Sequence, residues 1–176
     1  IVLLTMAFSV IGEEYIGRDE FLGLACGDKK PEMQTLWITE ETRDAAKAAV
    51  GWFPPALRLR YWQEGNCTAW ILEDIGKDKP ITLGIAVSGN RIERVEVLAF
   101  RETRGWEIRY PFFTSQFSGL TLATDGYLSD SIDGITGATL PVRAVARVAR
   151  PALWRDSQRT GCSVSALQFF VNSCAD

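Results

Sequence analysis

The sequence contains no histidine among its 176 residues. Histidine is the usual general base near neutral pH and the commonest metal ligand in proteins. Its absence excludes a Ser-His-Asp triad, a Cys-His dyad and a CxxCH haem site. Hydrolases, haem carriers and most metal enzymes are therefore removed from the classes of protein to consider.

The sequence also lacks an excess of basic residues. It has 19 Lys and Arg residues against 22 Asp and Glu residues, and its net charge is −3. Proteins that bind nucleic acid need a basic surface to neutralise phosphates. We therefore expect no nucleic-acid partner. The composition, with 47% hydrophobic and 23% charged residues, excludes intrinsic disorder, and the length predicts a single domain.

The four cysteines are far apart and form no CxxC pair. This spacing predicts neither a zinc knuckle nor a thioredoxin-like redox site. In an oxidising compartment Cys162 and Cys174 could close a short loop near the C-terminus. Cys26 and Cys67 complete the set, and the sequence does not choose among the three pairings. Free thiols are an equal alternative.

An apolar segment occupies residues 1–12, and its first eleven residues carry no charge. It is shorter than the roughly 20 residues that span a bilayer. Two interpretations stay open: the end of an export signal or membrane anchor, and a buried strand. We expect the folded domain to cover residues 13–160, followed by a C-terminal tail over residues 161–176.

Hydrophobic periodicity predicts the order of elements. A short helix is expected over residues 19–25. A second is expected over Glu40–Val50, with Thr39 as its N-cap and Gly51 as its stop. Period-two patterns then predict four consecutive strands, at residues 57–62, 68–72, 80–87 and 91–100.

A last helix is predicted from Leu140 to about Trp154. Pro151 is expected to end or kink it near Arg150. The order of helix, sheet and helix indicates an α+β fold. We expect a single domain whose antiparallel sheet, of about four or more strands, is flanked by helices.

The most informative stretch is residues 133–139, Asp-Gly-Ile-Thr-Gly-Ala-Thr, directly before the last helix. Small residues ahead of a hydroxyl at a helix start let a phosphate approach backbone N–H groups and the positive end of the helix dipole. The stretch therefore indicates an anion site. The alternative is that Thr139 only caps the helix.

This heptapeptide resembles the Asp-x-x-(Ser/Thr)-Gly-Ala-Thr acceptor motif of the FMN-binding domain family. That family includes the C subunit of the sodium-translocating NADH:quinone oxidoreductase and the G subunit of the Rnf complex, and this chain looks closer to its stand-alone periplasmic members. The resemblance implies that Thr139 carries FMN covalently through a phosphodiester, installed by an FAD:protein FMN transferase. The other cofactor-binding residues that this motif implies are Asp133, Thr136, Gly137 and Ala138.

A second match lies upstream, where residues 100–106, Phe-Arg-Glu-Thr-Arg-Gly-Trp, resemble the family's Glu-Thr-Pro-Gly-Leu-Gly segment. The sequence departs from the family at Arg104, Trp106 and Glu107. A third element, beginning at Gln116, fits the family's Gln-Phe-x-Gly pattern. The residues that the second match implies along the isoalloxazine ring are Glu102, Thr103, Gly105 and Trp106.

The resemblance implies an electron carrier, or a subunit of a redox complex, rather than a stand-alone enzyme. It implies a periplasmic or otherwise extracytoplasmic location, with membrane association through the N-terminal segment left open. The expected partners are the transferase and a redox protein or membrane electron-transfer partner. The alternative is a non-catalytic interaction or redox-sensing module with loosely bound FMN or none. We expect no metal and no catalytic side chain.

Arg143, Arg147 and Arg150 follow each other at helical spacing in the last helix and form a basic stripe. Such a stripe is either a solvated face or a docking surface for an acidic partner or anionic lipid. Arg143 is close enough to Thr139 in sequence to help neutralise a phosphodiester.

Overall fold

An antiparallel sheet organises the part of the chain that the computed structural model describes, residues 13–27 and 30–160. The predicted segment 1–12, the tail 161–176 and the Cys162–Cys174 pairing lie outside the described residues. The strands are β1 (Glu13–Glu14), β2 (Glu32–Trp37), β3 (Arg58–Glu64), β4 (Cys67–Ile75), β5 (Pro80–Ser88) and β6 (Arg91–Phe100). Their spatial order is β1-β6-β5-β4-β3-β2, and every neighbouring pair is antiparallel.

Helices flank this sheet, which confirms the predicted α+β class. They are α1 (Arg18–Ala25), α2 (Glu40–Val50), α3 (Pro111–Thr114) and α4 (Thr139–Thr160), and 3₁₀ turns cover Trp106–Arg109 and Ser115–Phe117. Helix α2 begins and ends as predicted: the Thr39 hydroxyl accepts a hydrogen bond from the Thr42 N–H, and Gly51 has a left-handed φ of 75°. Among the described residues, none of the helices is both long and apolar enough to cross a membrane.

Helix α4 and helix α1 pack against the strands in two separate clusters of buried side chains. Helix α4 contacts β4 and β5 and buries Val145, Val148 and Ala149 completely in the main core. In the second cluster the ring of Phe21 from α1 lies directly on Gly84 of β5. A Cβ at Gly84 would come within 2.7 Å of that ring. The side chains that α4 buries in the main core fix the position of this helix on the sheet, and Phe21 fixes that of α1.

Helix α4 runs from Thr139 through Pro151 to Thr160, beyond the predicted end at about Trp154. Of the two effects predicted for Pro151, an end or a kink near Arg150, the end is therefore wrong. A proline inside a helix costs about 3 kcal/mol because it removes a hydrogen bond and its ring crowds the preceding turn. Burying one Leu or Val side chain contributes about 1.5–3 kcal/mol. Val148, Ala152 and Leu153 are buried on both sides of the proline. Packing of the two halves on the same core therefore outweighs the local penalty.

Asp156 anchors the C-terminal part of α4. Its side chain is completely buried. Its carboxylate accepts hydrogen bonds from the Asn90 N–H at 2.9 Å and from the Arg159 guanidinium at 3.0 Å. Asn90 lies in the turn between β5 and β6 with a left-handed φ of 63°. This contact ties the far end of α4 to the turn between two central strands.

A disulfide joins Cys26, just after α1, to Cys67 at the start of β4. The bond resolves part of the pairing that the sequence leaves open, and neither of these two cysteines is a free thiol. It links residues that are 41 positions apart in the chain. Helix α1 is therefore held covalently to the sheet.

Replacing both cysteines, as Cys26→Ala/Cys67→Ala, should lower the free energy of unfolding by about 2–4 kcal/mol because the cross-link restricts the unfolded chain. Denaturant unfolding of the oxidised proteins measures this difference. A reductant should destabilise the wild type by a similar amount and leave the double variant nearly unchanged. Equal unfolding midpoints for wild type and variant would contradict a stabilising role for this bond.

Candidate functional site

Thr139 is the first residue of α4 and is exposed. The first helical hydrogen bond runs from the Val142 N–H to the Ala138 carbonyl at 3.0 Å, so Ala138 is the N-cap residue. The Thr139 hydroxyl has no hydrogen-bond partner within the described residues. The hydroxyl therefore does not cap the helix, and the simple capping interpretation is wrong.

The residues before Thr139 form a tight turn. The Ala138 N–H donates to the Ile135 carbonyl at 2.9 Å, and Gly137 has a φ of 83°. This geometry is that of a type II turn, whose third position requires a positive φ and so favours glycine. A Cβ built at Gly134 or Gly137 would meet no atom within 4 Å. The turn thus leaves open space at Gly134 and Gly137, the two glycines of the motif.

The start of the motif is held by Gln116. The Gln116 side-chain oxygen accepts a hydrogen bond from the Asp133 N–H at 2.7 Å, and its amide nitrogen donates to the Phe112 carbonyl at 3.3 Å. Phe117, the next residue, is completely buried. The Gln-Phe element therefore fixes the loop to the core. The carboxylate of Asp133 itself is exposed.

Gly105, in the upstream match, packs closely against the acceptor motif and the start of α4. It has a left-handed φ of 89°, and a Cβ there would lie 2.9 Å from Pro141 Cγ and 3.2 Å from Ala138 Cβ. Only glycine satisfies both the backbone conformation and this close approach. The two sequence matches thus meet at the N-terminal end of α4.

Glu102 supports the turn between β4 and β5. One of its carboxylate oxygens accepts three backbone N–H bonds, from Lys77 at 2.6 Å, Asp78 at 2.7 Å and Lys79 at 2.8 Å. Burial alone would raise the pKa of Glu102, but these three bonds and the charge of Lys77 hold the pKa below its ordinary value. That oxygen is therefore committed to the turn.

The other two residues of the upstream match, Thr103 and Trp106, are exposed. The Trp106 ring is 42% exposed and makes an edge contact with Tyr110 at 5.6 Å between ring centres. The Arg109 guanidinium lies 5.2 Å from the Trp106 ring centre. Trp106 therefore belongs to a surface cluster of aromatic rings around Arg109.

A groove of about 730 Å³ runs between α4 and residues 127–132. Its volume falls within the range of about 300–1,000 Å³ that is usual for small-molecule sites. Thr139 shares one helix face with Val142, Arg143 and Ala146, which line this groove at positions i+3, i+4 and i+7. Thr139 therefore lies at the N-terminal end of the helix face that forms one wall.

The opposite wall of the groove is a small hairpin. The Ser129 N–H donates to the Thr121 carbonyl at 2.9 Å, and Leu122 pairs with Leu128. Gly126 lies directly against the backbone carbonyl of Ala49 in α2. These contacts hold the wall in place. Two aspartates of this region stabilise its turns: Asp125 accepts a hydrogen bond from the Tyr127 N–H, and Asp130 accepts one from the Ser131 N–H.

The three arginines of α4 have different environments, so neither a uniformly solvated stripe nor a uniform docking stripe describes them. Arg147 pairs with Asp74, with 2.6 Å between its Nε and a carboxylate oxygen. Arg150 is half-buried, and its guanidinium lies 5.0 Å from the centre of the Tyr127 ring. Only Arg143 is exposed. All three line the groove.

The sequence does not predict the groove, because its outer wall comes from a Gly-, Asp- and Ser-rich stretch without periodicity. The helical spacing of Thr139 and the arginines was the one available signal. It predicted a shared face but not what lies opposite that face.

Glu102→Gln should destabilise the protein at neutral pH, because the neutral amide accepts the three N–H bonds less strongly than a carboxylate. The folded-state pKa of Glu102 is lowered, so its contribution is complete above the ordinary carboxyl pKa of about 4.3 and is lost as the pH falls through the folded value. Unfolding curves from pH 7 to pH 3 should therefore converge for wild type and variant.

Glu93→Gln, at an exposed position of β6, is the matched control and should follow the wild type at every pH. A Glu102→Gln deficit that stays constant down to pH 3 would contradict the role of the Glu102 charge.

Comparison with known proteins yields one family. Residues 76–153 match the family described as the FMN-binding domain. No curated protein matches the chain. The matched region spans the turn that Glu102 supports, Gly105, Gln116, the acceptor motif and the groove. Residues 76–153 of this chain are therefore similar to the FMN-binding domain family, and this similarity supports the binding of a flavin.

Proposed function

We propose that this protein is an extracytoplasmic electron carrier whose FMN is linked to Thr139 by a phosphodiester. The observation that carries the proposal is the exposed Thr139 hydroxyl, which has no partner within the described residues. Thr139 begins the helix whose next turns, from Val142 onward, line the groove. The family match supports FMN as the group.

The residues around Thr139 fit a phosphate. The N–H groups of a helix's first turn have no intrahelical partner, and the helix dipole favours a negative charge there. Pro141, the third residue of the helix, has no N–H to leave unpaired. Gly137 adds no side chain that would keep a phosphate from the backbone. Arg143 is exposed one turn further along and supplies a positive charge.

Attachment is a group transfer in which FAD is the donor. Thr139 Oγ forms a bond to the phosphorus of the FMN half of FAD, the pyrophosphate P–O bond breaks, and AMP leaves. The hydroxyl proton passes to a base of the transferase. The free hydroxyl and the open turn from Ile135 to Ala138 suit a substrate that a separate enzyme must reach.

Bound FMN supplies one- and two-electron chemistry that no side chain of this sequence could perform. The protein then binds the flavin, orients it and sets its potential. Electrons would come from one redox protein and pass to another, so the proposed role is electron transfer between partners rather than turnover of a small substrate. Histidine is not needed for that role.

The Cys26–Cys67 disulfide supports an extracytoplasmic location, because disulfides persist in oxidising compartments such as the periplasm. The apolar stretch at residues 1–12 is compatible with export or with a membrane anchor. We therefore propose the periplasmic side of a membrane as the working location.

Thr139→Ala should abolish covalent flavin when the protein is produced in its native host or in a host that contains the transferase. A denaturing gel under ultraviolet light should show a fluorescent band for the wild type and none for the variant. The intact mass of the variant should lack the FMN increment.

Thr136→Ala is the matched control, since Thr136 is a second exposed hydroxyl in the same motif, and it should keep the band. A dark wild-type band from cells with active transferase would contradict covalent attachment and would favour a module with loosely bound FMN. Loss of the band in Thr136→Ala alone would move the acceptor to Thr136.

A further inference from the structure

Three exposed aromatic side chains adjoin each other in the segment that follows β6. They are Trp106, Tyr110 and Phe112, here called the aromatic cluster, and they are 42%, 37% and 61% exposed. The ring centres of Trp106 and Tyr110 are 5.6 Å apart, and those of Tyr110 and Phe112 are 6.2 Å apart. Single exposed apolar residues are common on proteins, but adjoining ones mark an interaction surface.

Buried neighbours hold the aromatic cluster in place. Ile108 and Phe113 lie between and after the exposed rings in the chain, and both are completely buried in the main core. The 3₁₀ turn Trp106–Arg109 and helix α3 give the backbone of this segment a regular structure. The rings are therefore presented to the outside by a support that is anchored in the core.

A positive charge lies among the rings. The Arg109 guanidinium is 5.2 Å from the Trp106 ring centre and 5.0 Å from that of Tyr110. Within residues 104–112 the two positive charges of Arg104 and Arg109 exceed the one negative charge of Glu107. Amphipathic rings beside a guanidinium fit the boundary of a phospholipid bilayer, because the rings reach the acyl chains while the guanidinium binds the phosphate of the headgroups.

The apolar segment 1–12 joins the described chain close to the aromatic cluster. Strand β1, which follows the segment directly, pairs with the end of β6, with Glu13 opposite Phe100. The ring centre of the next residue, Tyr15, lies 4.3 Å from the Arg109 guanidinium. Three residues of extended chain span about 10 Å, so the point where the apolar segment meets the domain is near Arg109.

We infer that the aromatic cluster binds the surface of a phospholipid bilayer, with its rings at the level of the headgroups and the Arg109 guanidinium on lipid phosphate. This inference deepens the membrane location in the proposed function and rests on that part of it, but it does not require the flavin. Two adjoining contacts with one bilayer bind more tightly than either alone, because the first raises the effective concentration for the second.

The bound orientation has a consequence for the acceptor threonine. Gly105 packs against Pro141 and Ala138 at the start of α4, and the aromatic cluster begins at the next residue, Trp106. A bilayer that contacts the cluster is therefore close to the end of α4 that begins with Thr139.

Flotation of the full chain with vesicles of phosphatidylcholine and phosphatidylglycerol tests the inference. Phe112→Ser should lower the partition coefficient about tenfold, because it removes an apolar ring from the lipid contact. Arg109→Glu should lower it by a similar factor, since it replaces a charge that attracts phosphate by one that repels it. Arg109→Lys keeps the charge and should retain most of the binding.

Trp37 and Arg58 provide matched controls. They lie opposite each other on β2 and β3, and β2 is at the other edge of the sheet from β1. Both are exposed, Trp37 to 67%. Trp37→Ser and Arg58→Glu should therefore float like the wild type. The intact mass of each protein, produced with the transferase, should show the FMN increment whether or not the protein binds vesicles, so this inference and covalent attachment can fail separately.

Quenching of tryptophan fluorescence by brominated phosphatidylcholine covers the case in which a substitution at Phe112 or Arg109 disturbs folding. The apolar segment contains no tryptophan, so the signal reports on the rest of the chain. The wild type should be quenched by these vesicles. Trp106→Phe should lose most of the quenching, and Trp37→Phe should keep it.

Three results would overturn the inference. The first is a wild type that does not float with vesicles. The second is equal flotation of wild type and Phe112→Ser without quenching of Trp106, which would assign the binding to the apolar segment alone. The third is a dimer that dissociates in Phe112→Ser while no form binds vesicles, which would make a second copy of the chain the partner of the aromatic cluster.

Discussion

The position of helix α4 on the sheet is the constraint on which the site depends. Burial of Val145, Val148 and Ala149 sets its distance from β4 and β5. Asp156 binds its distal part to the β5–β6 turn, and Arg147 pairs with Asp74 at the end of β4. The packing outweighs the local cost of Pro151. A helix held at several points along its length presents its first residue at a constant place, which a tethered cofactor needs.

The loop before that first residue is held by contacts that leave its functional atoms free. Gln116 binds the backbone of Asp133, and Gly105 packs under Ala138. Neither contact uses the Thr139 hydroxyl. Rigid support with an open acceptor is what a modifying enzyme and its flavin donor require. Glu102 and Gly105, which the resemblance implies along the flavin ring, also support the β4–β5 turn and the start of α4.

Much of the secondary structure could be predicted from patterns of neighbouring residues in the sequence. The cap residues Thr39 and Gly51 gave the bounds of α2, and alternating patterns gave the four central strands, because these elements follow from neighbouring residues. The pairing of Cys26 with Cys67 and the continuation of α4 past Pro151 depend on contacts distant in sequence. The groove likewise joins a helix to an irregular hairpin. Spacing showed that Thr139 and the arginines share a face, but only tertiary structure distinguishes Arg147, which pairs with Asp74, from Arg150, which lies against the Tyr127 ring.

Peptide mapping of the native protein by tandem mass spectrometry tests the central claim most directly. The account predicts that the peptide containing the acceptor motif carries the mass of FMN and that fragment ions locate it on Thr139. The same peptide without FMN, or with FMN on another residue, in protein from cells with an active transferase would contradict it.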